Sequence, residues 1–93
     1  MFAFAAAIKS YLAPVVALQV AQQVLYDSGF EIFDPVQPGK ITMGGEHPSG
    51  VLVTVVAIDC EGGSANVVNA FSPHDAAGAQ QMAGTVYQAI QAS

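Results

Sequence analysis

Two places in this chain set an imidazole beside a carboxylate: Glu46-His47 and His74-Asp75. Imidazoles and carboxylates are ligands for divalent metals and the usual partners in general acid–base catalysis. Residues this far apart act together only if the fold carries them to one edge, and the sequence predicts that it does. Val51–Asp59 and Ala65–Phe71 read as consecutive antiparallel strands, so the loop before Val51 and the exit from Phe71 fall at the same end of a sheet. The strands that carry the two dipeptides flank a central one, which puts their bases about 10 Å apart. Glu46, His47, His74 and Asp75 are therefore the candidate metal or acid–base residues. Each also has a plain structural role: Asp75 suits a helix N-terminus, and His47 precedes Pro48 in a loop. Their spacing matches no metal-ligand motif, so no cofactor is expected.

The rest of the chemical inventory is sparse. Cys60 is the only cysteine. It lies between Asp59 and Glu61 with no neighbouring cation, and reads as a structural hairpin thiol rather than a nucleophile. Gly44-Gly45 and Gly62-Gly63 are isolated pairs without the spacing of a phosphate-binding loop, and read as turns. The net charge is −5, arginine is absent, and Lys9 and Lys40 are the only cations. Nucleic acid and anionic membrane, which are held by clustered Lys and Arg, are excluded as partners. A lone cysteine allows no internal disulfide, and no run approaches the roughly 18 apolar residues of a membrane span. A cytoplasmic protein is expected.

The elements that would position these residues follow from periodicity. Residues 2–9 alternate, with Phe2, Phe4, Ala6 and Ile8 opposite Ala3, Ala5, Ala7 and Lys9, as in a strand. Pro14–Asp27 reads as a helix with proline in its first turn, a stripe of Ala17, Leu18, Ala21, Val24 and Leu25, and Gly29 as its stop. Phe30–Phe33 and Lys40–Gly44 read as short strands, and Gly44–Gly50 as a loop. Val51–Asp59 is β-branched and apolar on both faces, the pattern of a central strand covered on two sides. Ser72-Pro73-His74-Asp75 opens a last helix, with Ser72 as cap and Pro73 in its first turn. That helix buries Ala76, Ala79, Met82, Ala83, Val86 and Ile90. Phe30, Ile32, Phe33, Tyr11, Tyr26 and Tyr87 are expected mainly as core, with a small apolar pocket between helix and sheet as the other use.

The helix–strands–helix order resembles, in topology, the double-stranded-RNA-binding domain over most of the chain. That resemblance implies a basic cluster at the start of the last helix. This chain has Ser72-Pro73-His74-Asp75-Ala76-Ala77 there, so the RNA-binding role is not carried over.

Together these readings give one α+β domain spanning residues 1–93. An antiparallel sheet of three to five strands carries two helices on one face, in the order (β)-α-β-β-β-β-α. Two helices cover one sheet face only. One face of the Val51–Ile58 strand, either Val51, Val53 and Val55 or Leu52, Val56 and Ile58, is then left to pair with something. The simplest partner is a second copy, making a homodimeric binding or assembly module; a protein partner or an uncharged small ligand are the other occupants. Alternatively, residues 2–8 fold over that face. The competing functional class is a small metal-dependent or acid–base enzyme using Glu46, His47, His74 and Asp75.

Overall fold

Period-two alternation and β-branched side chains make Val51–Asp59 the framework of the molecule. In the computed structural model, which describes residues 1–93, it becomes the middle strand of a five-stranded antiparallel sheet. In chain order the elements are β1 (Phe2–Ser10), α1 (Pro14–Asp27), β2 (Glu31–Asp34), β3 (Thr42–Glu46), β4 (Leu52–Cys60), β5 (Gly63–Ser72) and α2 (Ala76–Ala92). The spatial order is β1-β5-β4-β3-β2, so the N-terminal strand and β2 form the two edges. The fold is α+β, with two helices and strands in the order β-α-β-β-β-β-α. Residues 2–8 are thus a strand of the sheet and do not lie over its face. Four strands separate the helices, with β1 as a fifth, rather than the three of the RNA-binding topology.

Both helices lie on one face. Val53, Val55 and Ala57 of β4, with Val68 and Ala70 of β5, are fully buried against Ala17, Leu18, Ala21 and Leu25 of α1 and Ala79, Val86 and Ile90 of α2. Burying a valine or leucine side chain contributes about 1.5–3 kcal/mol. This one layer therefore supplies most of the drive to fold.

The helix ends depend on particular residues. At the end of α1, Phe30 N–H donates to Leu25 O (2.9 Å) and Gly29 N–H to Tyr26 O (3.1 Å). Gly29 takes the positive φ (86°) that this pattern requires. α2 begins three residues later than its sequence suggests. Asp75 is its N-cap, accepting from Gly78 N–H at 2.9 Å, while Ser72 Oγ accepts from Asp75 N–H at 2.9 Å and shapes the turn before it. Pro73 therefore lies outside the helix, because the Ser72 bond uses up a further turn of chain.

The Gly44–Gly50 loop needs a larger correction, since Gly44, Gly45 and Glu46 belong to β3. The two glycines permit close approach on both faces. A Cβ on Gly44 would sit 2.8 Å from the Phe33 ring, and one on Gly45 would be 3.3 Å from Leu25 Cδ1. A glycine within a strand often marks such an approach rather than a turn. The β2–β3 register shifts between Ile32 and Asp34, so Phe33 is the extra residue and lies with Asp34 on the Gly44 side.

Candidate functional site

The end of the sheet where β3 gives way to β4 gathers part of the predicted constellation. His47 N–H donates to Val51 O (2.8 Å), and Gly50, at φ 98°, closes the turn with a bond to His47 O (2.8 Å). Ser49 N–H donates to His47 Nδ1 (3.1 Å), with Ser49 Oγ 2.8 Å from the same nitrogen. A ring nitrogen that accepts an N–H carries no proton, so the neutral ring holds its hydrogen on Nε2. The imidazole also packs on Phe30, with centroids 5.2 Å apart and planes tilted by 60°. His47 and Asp75 line one shallow hollow of about 170 Å³, together with Ser28, Ser49 and Gln81. Glu46 projects to the opposite sheet face, level with Leu52, and His74 is exposed on the turn before α2. The fold sets His47 between two hollows: it shares one with Asp75 and a second, of about 530 Å³, with Glu46 and Glu31, while His74 lines neither. No three His, Cys, Asp or Glu side chains are arranged to hold a metal ion.

The aromatic residues do not line a pocket between helix and sheet. Phe30 is buried and Ile32 packs on the core, but Tyr11 is 95% exposed and Tyr26 and Phe33 are largely exposed. Tyr87 lines an open hollow beside β1. Tyr11 follows the end of β1, Tyr26 is on the outer face of α1 beside buried Leu25, and Phe33 points to the other face of the sheet. Cys60 ends β4, half-buried and free.

The face of the sheet away from the helices is the largest uncovered feature. Register places its residues in rows. Ala3, Phe71, Leu52, Glu46 and Glu31 form the first, and Ala5, Asn69, Thr54 and Gly44 the second, with Phe33 against Gly44. Ala7, Val67, Val56 and Thr42 form the third, and Lys9, Ala65 and Ile58 the fourth. Ile58 is 53% exposed, Phe33 53% and Val67 39%. The face spans about 19 Å from β1 to β2 at its first two rows, narrows to about 10 Å at the fourth, and runs about 20 Å along the strands, a plan area of about 320 Å² that includes the polar Lys9, Glu31, Glu46, Thr42, Thr54 and Asn69. Of the six strand residues named as an interface, Val51, Val53 and Val55 lie under the helices, while Leu52, Val56 and Ile58 face outward.

Charge on this face is sparse and ordered. Lys40 and Asp34 form the one ion pair, and Thr42 Oγ1 donates to Asp34 Oδ2 at 3.0 Å. The Lys40 ammonium, aided by the Thr42 hydroxyl, holds the Asp34 carboxyl below its usual range. On the helix side, Ser10, Ser64 and Asn66 are buried together near the start of β5. Asn66 Nδ2 donates to Ser64 Oγ (3.1 Å) and, at 3.4 Å, to Ile8 O, while its Oδ1 has no partner. No hollow opens onto it.

Sequence reasoning missed the share of Phe33, Val67, Phe71 and the β1 alanines in the open face. The signal was present in the alternation of residues 2–9 and 65–71, which assigns each to a face once the strands are paired. No helix is long and apolar enough to cross a membrane. Comparison with known protein families, curated proteins and solved structures finds no match.

Proposed function

We propose that this chain is an assembly module that pairs with a second copy of itself through the open face of its sheet. One observation carries the reading. Both helices lie on the same side, residues 2–8 are a strand of the sheet and no cover for the other side, and Leu52, Val56, Ile58, Val67, Phe71 and Phe33 are left on an uncovered surface. The surface composition supports it. Only 10% of residues are charged, against about 25% in a typical globular chain, so little of this surface is built to stay in water alone. The negative charge disfavours nucleic acid and anionic lipid as occupants, and the single cysteine suits a cytoplasmic setting.

The metal or acid–base alternative has less behind it. His47 and Asp75 share a hollow, but Asp75 is engaged as a helix cap and His47 Nδ1 by Ser49.

Light scattering across a concentration series tests the proposal. A mass twice that of the chain, falling toward one chain on dilution, is expected. A single-chain mass at every concentration overturns self-association and leaves the face to a different protein or an uncharged ligand.

A further inference from the structure

If two copies do meet through this face, its charges specify how. Lys40 is committed to Asp34. Lys9, the other cation, lies on the open face at the β1 edge, level with Ala65 and Ile58. It makes no ion pair; Glu61 lines the same hollow of about 300 Å³ without reaching it. At the diagonally opposite corner, Glu31 and Glu46 stand directly across from each other on β2 and β3, both exposed and neither in an ion pair, with His47 lining the same hollow. Like charges directly opposite on adjacent strands are destabilising. The single chain thus leaves an acidic pair without an ion-pair partner at one corner of an apolar face, and its only uncommitted cationic side chain at the other.

We propose that a second copy of this chain covers the face about a two-fold axis lying in its plane, setting each copy's Lys9 against the other copy's Glu31 and Glu46. Face-to-face pairing of identical sheets requires such an in-plane axis. From Lys9 to Glu46 is about 20 Å along the strands and about 14 Å across three strand spacings. The line joining them therefore runs about 35° from the strand direction. An axis perpendicular to it crosses the two sheets at about 70°, nearer the orthogonal class of sheet packing than the aligned one. The axis passes among Thr54, Val56, Val67 and Asn69, so these residues meet their own counterparts. Exposed ion pairs contribute little affinity. Lys9 and the two glutamates set register, and the apolar rows supply the binding.

The inference rests on the sheet-face reading, and its test separates the two. Equal amounts of ¹⁴N- and ¹⁵N-labelled protein are treated with a zero-length carbodiimide and the joined peptides identified by mass. Lys9 is expected to join Glu46 or Glu31 in mixed-label products, since about 24 Å separates Lys9 from Glu46 within one chain. In parallel, Lys9→Glu is expected to weaken the dimer about tenfold. The double variant Glu31→Lys/Glu46→Lys is expected to weaken it similarly. Mixing the two variants is expected to restore pairing as a heterodimer, because every facing charge is then opposite. A dimeric wild type in which Lys9 joins only Glu61, or in which the mixed variants fail to pair, overturns the charge arrangement and leaves the sheet-face reading standing. A wild type that stays monomeric overturns both. The cross-linking result decides the arrangement even if a variant fails to fold.

Discussion

Val55 and Val56 are consecutive residues of the same type on the same strand, yet they belong to different parts of the molecule. Val55 is fully buried beneath the helices, whereas Val56 lies on the uncovered face among Val67, Thr42 and Ile58. The helix side is a closed core with small residues where helix meets strand. The open side has similar apolar content without a cover. Hydrophobic patterning builds both faces alike, and only connectivity decides which becomes core.

The largest expected effect exploits that contrast. Val55→Asp puts an uncompensated carboxylate into the core and is expected to unfold the chain, a loss of about 4 kcal/mol or more, read by circular dichroism and thermal melting. Val56→Asp is expected to keep the fold and melt as a monomer. Equal damage from both would erase the distinction between the faces.

Gly63→Ala comes next. Gly63 sits at φ 152°, and an added Cβ would collide with Ser10 O and the Tyr11 backbone, so the end of β1 must move away. A loss of about 2 kcal/mol in denaturant unfolding is expected. No loss would mean that β1 is not held tightly against β5 there. Asp75→Ala removes the α2 cap and is expected to cost about 1 kcal/mol without changing association, because the cap lies away from the open face.

The smallest effect is at the sheet margin. Asp34→Asn is expected to cost at most about 1 kcal/mol at pH 7, because the pair is partly exposed. The sign with pH follows from the lowered Asp34 value. Its contribution is complete above the ordinary carboxylate pKa of 3.8, shrinks as the unfolded chain takes up its proton, and is lost once pH falls below the folded value. Wild type and variant should therefore converge in stability only in acid below about pH 4. A difference that persists there would assign the effect to something other than the ion pair.

How much of this was legible in the sequence varied by element. The α1 stripe and the Val51–Asp59 strand stand out because local period and burial coincide. The face that β4 turns to the helices could not be read: both of its faces are apolar, and a period-two pattern is unchanged by turning the strand over. Gly44-Gly45 misled because glycine marks a turn and a close strand approach equally well, and only Phe33 and Leu25 arriving from elsewhere distinguish them. The start of α2 slipped because Ser72 and Asp75 are both good caps, and the chain uses each for a different turn. For the candidate edge, strand reversal sets His47 and Asp75 at one end of the sheet, where they line one hollow. It could not show that Glu46 sits level with Leu52 on the open face and shares a separate hollow with His47, since that depends on the β3–β4 register.

The most direct test of the central claim is the solution mass of Val56→Asp beside wild type at matched concentrations. A dimeric wild type and a folded, monomeric variant are expected. A Val56→Asp protein that remains a dimer would show that the open sheet face is not where two copies meet.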